Sequence, residues 1–280
     1  MMTSLSFNQE QLGGLRLWWN EFGCMAKKEF IVLSRYKFSF ILSFFQIFFI
    51  MFIFTVAALI LTPPDKTDYG VGFMFYSFIL FIYLSTALWD IGNSLREEQY
   101  QGTLESLFMT PISYFSTLLS RIFANLVWTS VNVMACFFFM TLVFGEFSLI
   151  NVGLGLIILI LSLFVCFGIA FGFAGLALRY KESMNILTNF LQFILMIVCA
   201  MFFPFSALPE IVEILARIIP LSYCVDLFRT TMIGGAPELL PFELEFVIVM
   251  LSALILPLLG VLYFQSTVQK AKHEGNLAEY

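Results

Sequence analysis

Residues 38–61 read FSFILSFFQIFFIMFIFTVAALIL, an unbroken apolar run without one ionisable side chain. About 20 such residues in helical form cross the roughly 30 Å of bilayer hydrocarbon, so this run reads as a membrane span. Thr62-Pro63-Pro64-Asp65 closes it, because proline lacks an amide proton and its ring clashes with the preceding turn. Comparable runs follow at about Val71–Ile91, Thr117–Val143, Ile150–Leu178, Ile186–Phe203 and Glu243–Phe264. The fold class expected is therefore an all-α membrane protein with six transmembrane helices. Composition agrees: 12% of residues are charged and 60% hydrophobic, against roughly 25% charged in soluble domains. A chain of 280 residues leaves no room beside six spans for a separate soluble domain.

Ahead of the first span, Leu15, Trp18, Trp19, Phe22, Met25, Ala26, Phe30 and Leu33 share one helical face, with Arg16, Asn20, Lys27, Lys28 and Arg35 opposite. Trp on the apolar side and cations on the polar side predict an amphipathic helix in the headgroup region, against anionic lipid. Glu29 falls on the apolar side and departs from that pattern. The first residues are polar and the first apolar run is too long for a cleaved signal peptide, so the N-terminus is expected to be retained. All but three of the 14 Lys and Arg lie on one side of the spans, and Lys66, Arg217 and Arg229 lie on the other. By the positive-inside rule both termini are cytoplasmic, in a multi-pass protein of the plasma (inner) membrane. Three regions follow: 1–37, a cytoplasmic tail and interfacial helix; 38–264, the transmembrane domain; and 265–280, a second cytoplasmic tail.

Within that domain the loop 92–116 holds the one interior stretch dense in charge, Arg96-Glu97-Glu98-Gln99-Tyr100-Gln101-Gly102-Thr103-Leu104-Glu105-Ser106-Leu107-Phe108-Met109-Thr110-Pro111. It cannot enter lipid, and it faces the cytoplasm in the assigned orientation. Tyr100, Leu104, Leu107 and Phe108 give it one apolar helical face, with Glu98, Gln101 and Glu105 opposite, the pattern of a helix that docks on a water-soluble protein. Gly102 weakens that helix by about 1 kcal/mol relative to Ala and marks a bend, and Pro111 marks its stop.

The second irregular stretch, 204–241, is cut by Pro204, Pro209, Pro220, Pro237 and Pro241. Glu210–Ile219 and Leu221–Ile233 are expected as short helices, with Glu213 and Arg217 at i,i+4 and Asp226 and Arg229 at i,i+3 pairing on their surfaces. Neither can cross a bilayer, and half-length helices persist at membrane depth only against protein or a wet cavity. They are placed as a re-entrant pair dipping in from the outer face.

Polar residues recur inside the spans at helical spacing. Asn185, Asn189 and Gln192 form one stripe, Asn125, Thr129 and Asn132 another, and Ser39, Ser43 and Gln46 a third, while the second span ends on Thr86, Asp90 and Asn93. Carboxamides facing lipid are expensive, so each stripe points either at other helices, as hydrogen-bonding glue of about 0.6 kcal/mol per contact, or at a transport path. Gln46, Asn185, Asn189 and Gln192 are the path candidates. Gly168, Gly172 and Gly175 allow a close helix approach.

The only histidine is His273, in the tail, which removes Ser-His and Cys-His dyads and a His-Glu-x-x-His zinc site. The five cysteines are dispersed and read as buried apolar residues. There is no Gly-x-x-x-x-Gly-Lys-[Ser/Thr] loop, so ATP is not expected to bind this chain and no cofactor is expected in it; without a histidine in the spans or a carboxylate pair no catalytic residue is nominated, and without basic, aromatic-interleaved patches nucleic acid is not expected as a partner.

The loop and the Pro-cut segment together resemble the ABC-2 type transporter permeases, membrane subunits of ATP-driven exporters. The resemblance rests on Arg96-Glu97-Glu98, Gly102-Thr103-Leu104-Glu105 and Thr110-Pro111, then Pro204, Pro209, Pro220-Leu221-Ser222-Tyr223 and Asp226 to Arg229. It covers nearly the whole chain in family order, and the drug and small-amphiphile branch is the most similar. It implies a homo- or heterodimer of permeases with two ATPase subunits that bind ATP and Mg on the cytoplasmic side. The 96–111 stretch would be the coupling helix seated in each ATPase, and the first, second and fifth spans would surround the path. The cargo implied is amphiphilic, drug-like or lipid. The alternatives are polysaccharide or lipid-linked glycan export and, from another class, an ATPase-independent secondary transporter or channel.

Overall fold

Hydrocarbon offers no water to unpaired amides and carbonyls, so an apolar chain is confined there to helices or closed barrels. The computed structural model describes residues 14–35, 37–61, 67–100, 114–145, 149–179 and 184–274. Among these the regular elements are α1 (Gly14–Arg35), α2 (Lys37–Leu61), α3 (Thr67–Tyr100), α4 (Tyr114–Phe144), α5 (Val152–Arg179), α6 (Met184–Val198), α7 (Glu210–Ile218), α8 (Pro220–Ile233) and α9 (Phe242–Glu274), with a 3-10 turn at Phe205–Ala207. Five of them are long and apolar enough to cross a bilayer, at Phe38–Ala57, Gly72–Asp90, Leu119–Phe144, Val152–Leu176 and Phe242–Lys270.

The run expected as a span at Ile186–Phe203 forms a shorter helix. Helix α6 has 15 residues, about 22 Å at 1.5 Å per residue, and stops at Val198. The Met201 amide donates to the Met196 carbonyl at 3.2 Å and the Ala200 amide to Ile197 at 3.1 Å, the paired bonds of a Schellman stop. Ala200 occupies the left-handed position of that motif, at φ 47°, a conformation that costs an L-residue about 1–2 kcal/mol. The irregular backbone beyond α6 is covered: Cys199, Ala200, Met201 and Phe202 are buried, and the Phe202 ring stacks on Phe54 at 4.3 Å between α2 and α3.

Helix α3 is the hub. It packs against α2, α4, α5, α6 and α8 and is the most enclosed of the five long helices, whereas α2 and α9 are the least. It is 34 residues long, running well past the expected end at Ile91. Helix α9 likewise continues past Phe264 to Glu274. The predicted apolar face of α1 is turned onto α4, with Phe22 and Phe30 edge-on to Phe123 at 5.8 and 6.5 Å, while Lys27 and Lys28 are exposed.

The closest approach is between α5 and α9. A Cβ built on Gly168 would strike the Leu256 carbonyl carbon and Pro257, one on Gly260 would strike the Gly168 carbonyl oxygen, and one on Gly175 would meet the Tyr263 ring at 2.6 Å. Gly172, grouped with them on sequence spacing, has nothing within 4 Å. Between lipid-immersed helices the drive to associate is packing itself, and here Gly168 and Gly260 let backbone touch backbone while Gly175 makes room for the Tyr263 ring. Replacing Gly260 by Val is expected to lower stability by about 1–3 kcal/mol through overpacking, whereas Gly172→Ala should change it little. The midpoint of thermal unfolding in detergent reads both, and equal effects would contradict the assigned contact.

Candidate functional site

Two groups of expected residues occupy opposite ends of α3. At one end, Arg96, Glu97, Glu98 and Tyr100 are placed by backbone alone, on the last turns of α3. Gly102, Thr103, Leu104, Glu105, Thr110 and Pro111 lie outside the described residues. The helix thus carries the charged stretch as a direct extension of the most buried span.

The polar stripes divide. On α6, Gln192 is half-buried and its Oε1 accepts a hydrogen bond from Trp89 Nε1 at 2.8 Å, tying α6 to α3. Asn185 and Asn189 are exposed, as is Gln46 on α2. The stripe on α4 is glue. Thr129 meets Thr86 at 3.5 Å, Asn125 bonds Asp90, and one turn along Tyr83 donates to Ser130 Oγ at 2.8 Å.

At the other end of α3, the 204–241 segment builds a charge cluster that the sequence did not announce. Helix α7 begins behind Pro209 and is amphipathic, with Glu213 and Arg217 paired at 2.8 Å on its exposed side as expected. Ile219 then breaks to extended backbone, and Pro220 opens α8 at its first turn, where its missing amide proton costs nothing. Helix α8 ends on Gly234 at φ 89°, capped by the Gly234 amide on Thr230. Leu221 to Met232 are all buried, so α8 lies inside the protein, against α3, α5 and α9.

That burial corrects the expected surface pairing of Asp226 and Arg229. Both side chains are 0% exposed. Arg229 donates through Nε and Nη2 to Asp226 Oδ1, at 3.3 and 3.2 Å, and through Nη1 to the Ala200 carbonyl at 3.3 Å. Its guanidinium lies 3.9 Å from the Phe73 ring centroid and 4.7 Å from that of Phe205, close enough for cation–π attraction in a desolvated site. Glu238 Oε1 stands 3.7 Å from Arg229 Nη2, and Glu238 Oε2 accepts the Ser206 amide at 3.1 Å. The second oxygen of Asp226 accepts the amides of Glu238 and Leu239, at 2.7 and 3.0 Å. Glu245, at the start of α9, accepts the Leu240 amide at 2.8 Å. Tyr223 donates to the Arg217 carbonyl at 2.7 Å and so pins α8 to the end of α7. Burial pushes the Cys224 thiol up to about 12 and raises the Tyr223 phenol, so both stay neutral at physiological pH.

Of the residues expected in the segment, Tyr223, Asp226 and Arg229 carry this construction, and Pro209 and Pro220 set the starts of α7 and α8. Pro204 precedes the 3-10 turn that delivers Phe205. Glu238, Glu245 and the Ala200 carbonyl were missed. A signal for Glu245 existed, since it shares a helical phase with Val249, Ala253, Gly260 and Phe264, the buried side of α9.

No metal-ligating group of three or more side chains occurs among the described residues. Removing one partner of a buried ion pair strands the other charge, at about 3–5 kcal/mol. Asp226→Ala and Arg229→Ala are each expected to lose that much, and Glu213→Ala, on the exposed pair, under about 1 kcal/mol. Unfolding midpoints in detergent measure the contrast, and similar losses at the two pairs would contradict it.

A comparison with curated proteins returns no match. A family model described as ABC-2 type transporter matches residues 20–233, from α1 through the end of α8.

Proposed function

The chain belongs to the ABC-2 type transporter family, and on that premise we propose that it is the membrane-spanning permease subunit of an ATP-driven exporter. Two permease chains and two separate ATPase subunits make the working complex in the plasma (inner) membrane, with ATP and Mg held by the ATPases and both termini cytoplasmic. The 96–111 stretch is the coupling element. ATPase closure on ATP moves it, and the helices alternate between inward and outward access.

The observation that carries this reading is the family match, and the geometry supports it. Helix α3 is continuous from Phe73, beneath the Arg229 guanidinium, to Tyr100 in the docking stretch. At 34 residues it is about 51 Å long, so motion at its cytoplasmic end reaches the outer cluster through a single rigid element. Asn185 and Asn189 on α6 and Gln46 on α2 are exposed in the single chain, which fits helices that face a partner permease and the path rather than lipid. With α6 as the fifth, the spans number six. The cargo is amphiphilic, a drug-like molecule or a lipid, because a path with a few carboxamides and no ring of charge suits neither small ions nor highly charged solutes.

Reconstituted with its ATPase, the chain should export amphiphilic dyes in an ATP-dependent manner, and Glu105→Lys should leave ATP hydrolysis running while export falls at least about tenfold, a loss of roughly 1.4 kcal/mol in coupling. Unchanged export in that variant would count against docking through the acidic face. Undiminished export without the ATPase would favour a self-sufficient transporter.

A further inference from the structure

Helix α1 is held at the level of one membrane surface from two directions. Only Tyr36 separates its last residue, Arg35, from α2, whose membrane-spanning stretch begins at Phe38. Its apolar face packs on α4 through Phe123, just inside the span that starts at Leu119. Chain connection and packing thus keep α1 beside the bundle at headgroup depth, and the sector turned away from α4 faces outward along that surface.

That sector is sharply defined. Phe22, Ala26 and Phe30 are buried or half-buried on the α4 side, whereas Cys24, Lys27, Lys28, Ile31, Val32 and Arg35 are all exposed and, at 100° per residue, share an arc of about 140°. An interfacial helix ordinarily gives its apolar face to lipid and its cations to the headgroups and water. Here protein takes the apolar face, so contact with lipid falls to the other side. Ile31 and Val32, 45% and 38% exposed, lie between Lys27 and Lys28 one turn before and Arg35 one turn after. Basic side chains reach from such a position to phosphates while their stems stay against apolar groups. Positive charge is in surplus: Lys28 Nζ stands 3.7 Å from Glu29, and neither Lys27 nor Arg35 has an ion-pair partner among the described residues. The exposed apolar surface continues on α2 at Phe38, Ile41 and Leu42.

We propose that Lys27, Lys28 and Arg35 form a binding site for the headgroup of an anionic phospholipid, whose acyl chains lie against Ile31, Val32 and the exposed side of α2. Charge complementarity names the occupant, because cations in surplus attract an anionic headgroup and give a zwitterionic one no advantage. The site fixes α1 to the membrane on the side that α4 does not hold. It does not rest on the transport reading.

Cys24 makes the test direct, since it is exposed on the same arc while Cys136, Cys166, Cys199 and Cys224 are buried. A fluorophore on Cys24 of the purified chain in nanodiscs should be quenched by phosphatidylglycerol bearing a spin label at least about tenfold more effectively than by phosphatidylcholine bearing the same label, and high salt should shrink the difference. The triple variant Lys27→Gln, Lys28→Gln, Arg35→Gln should bring the two lipids to near parity, while its unfolding midpoint in phosphatidylcholine stays that of the native chain. Arg217→Gln, which removes an exposed cation of α7, should leave the preference intact. Equal quenching by the two lipids, a preference that survives the triple variant, or one that Arg217→Gln abolishes equally would overturn the proposal. Quenching by neither lipid, in the chain purified from native membranes with whatever it binds, would assign the face to a protein and overturn it as well.

Discussion

A backbone amide or carbonyl left unpaired in hydrocarbon costs several kcal/mol, and the shape of this chain follows from where that demand cannot be met by helix alone. It fails at the end of α6, where the chain turns back at Ala200, and again where α7, α8 and the 235–241 loop run irregularly before α9. Arg229 and Asp226 resolve both failures together. The guanidinium takes the Ala200 carbonyl left by the turn, and the carboxylate takes the Glu238 and Leu239 amides left by the loop. The ion pair is thus backbone capping by side chains, buried because the backbone it serves is buried.

Around that pair the packing is backbone-close on one side and aromatic on the other. Gly168 and Gly260 let α5 and α9 touch, which holds the start of α9, and hence Glu245, against α8. The Phe73 and Phe205 rings both lie against the guanidinium, and Phe73 joins the cluster to the hub helix. The most buried helix therefore has the charge cluster at one end and the charged stretch of Arg96 at the other. A conformational change that begins at either end has α3 as its shortest rigid route to the other.

Much of this was legible in the sequence. Apolar runs placed α2, α4 and α5 to within a few residues and the starts of α3 and α9, whose C-terminal ends run on past the apolar stretch into polar sequence, and prolines placed α7 and α8. The stop of α6 was not legible, because the left-handed position is filled by Ala200 and no glycine or proline marks it. Nor was the burial of Asp226 and Arg229, since i,i+3 spacing identifies a pair without saying what covers it. Glu245 was visible only through its phase on α9, a weak cue beside the ordinary expectation that acids at the mouth of a span meet water. The polar stripe on α6 split for a related reason: spacing gives a common face, while the neighbour that occupies it, Trp89 for Gln192, is a matter of tertiary packing.

The chain belongs to the ABC-2 type transporter family, and the proposal built on that membership is that the charged stretch at the end of α3 receives motion from a separate ATPase. The most direct test is to tag the chain, purify it from native membranes in mild detergent, and identify what remains bound at stoichiometric amounts. The account predicts an ATPase bearing a Gly-x-x-x-x-Gly-Lys-[Ser/Thr] loop, retained by the native chain and lost when the 96–111 stretch is replaced by a neutral linker. A chain that purifies without any such ATPase, yet moves substrate in vesicles, would contradict it.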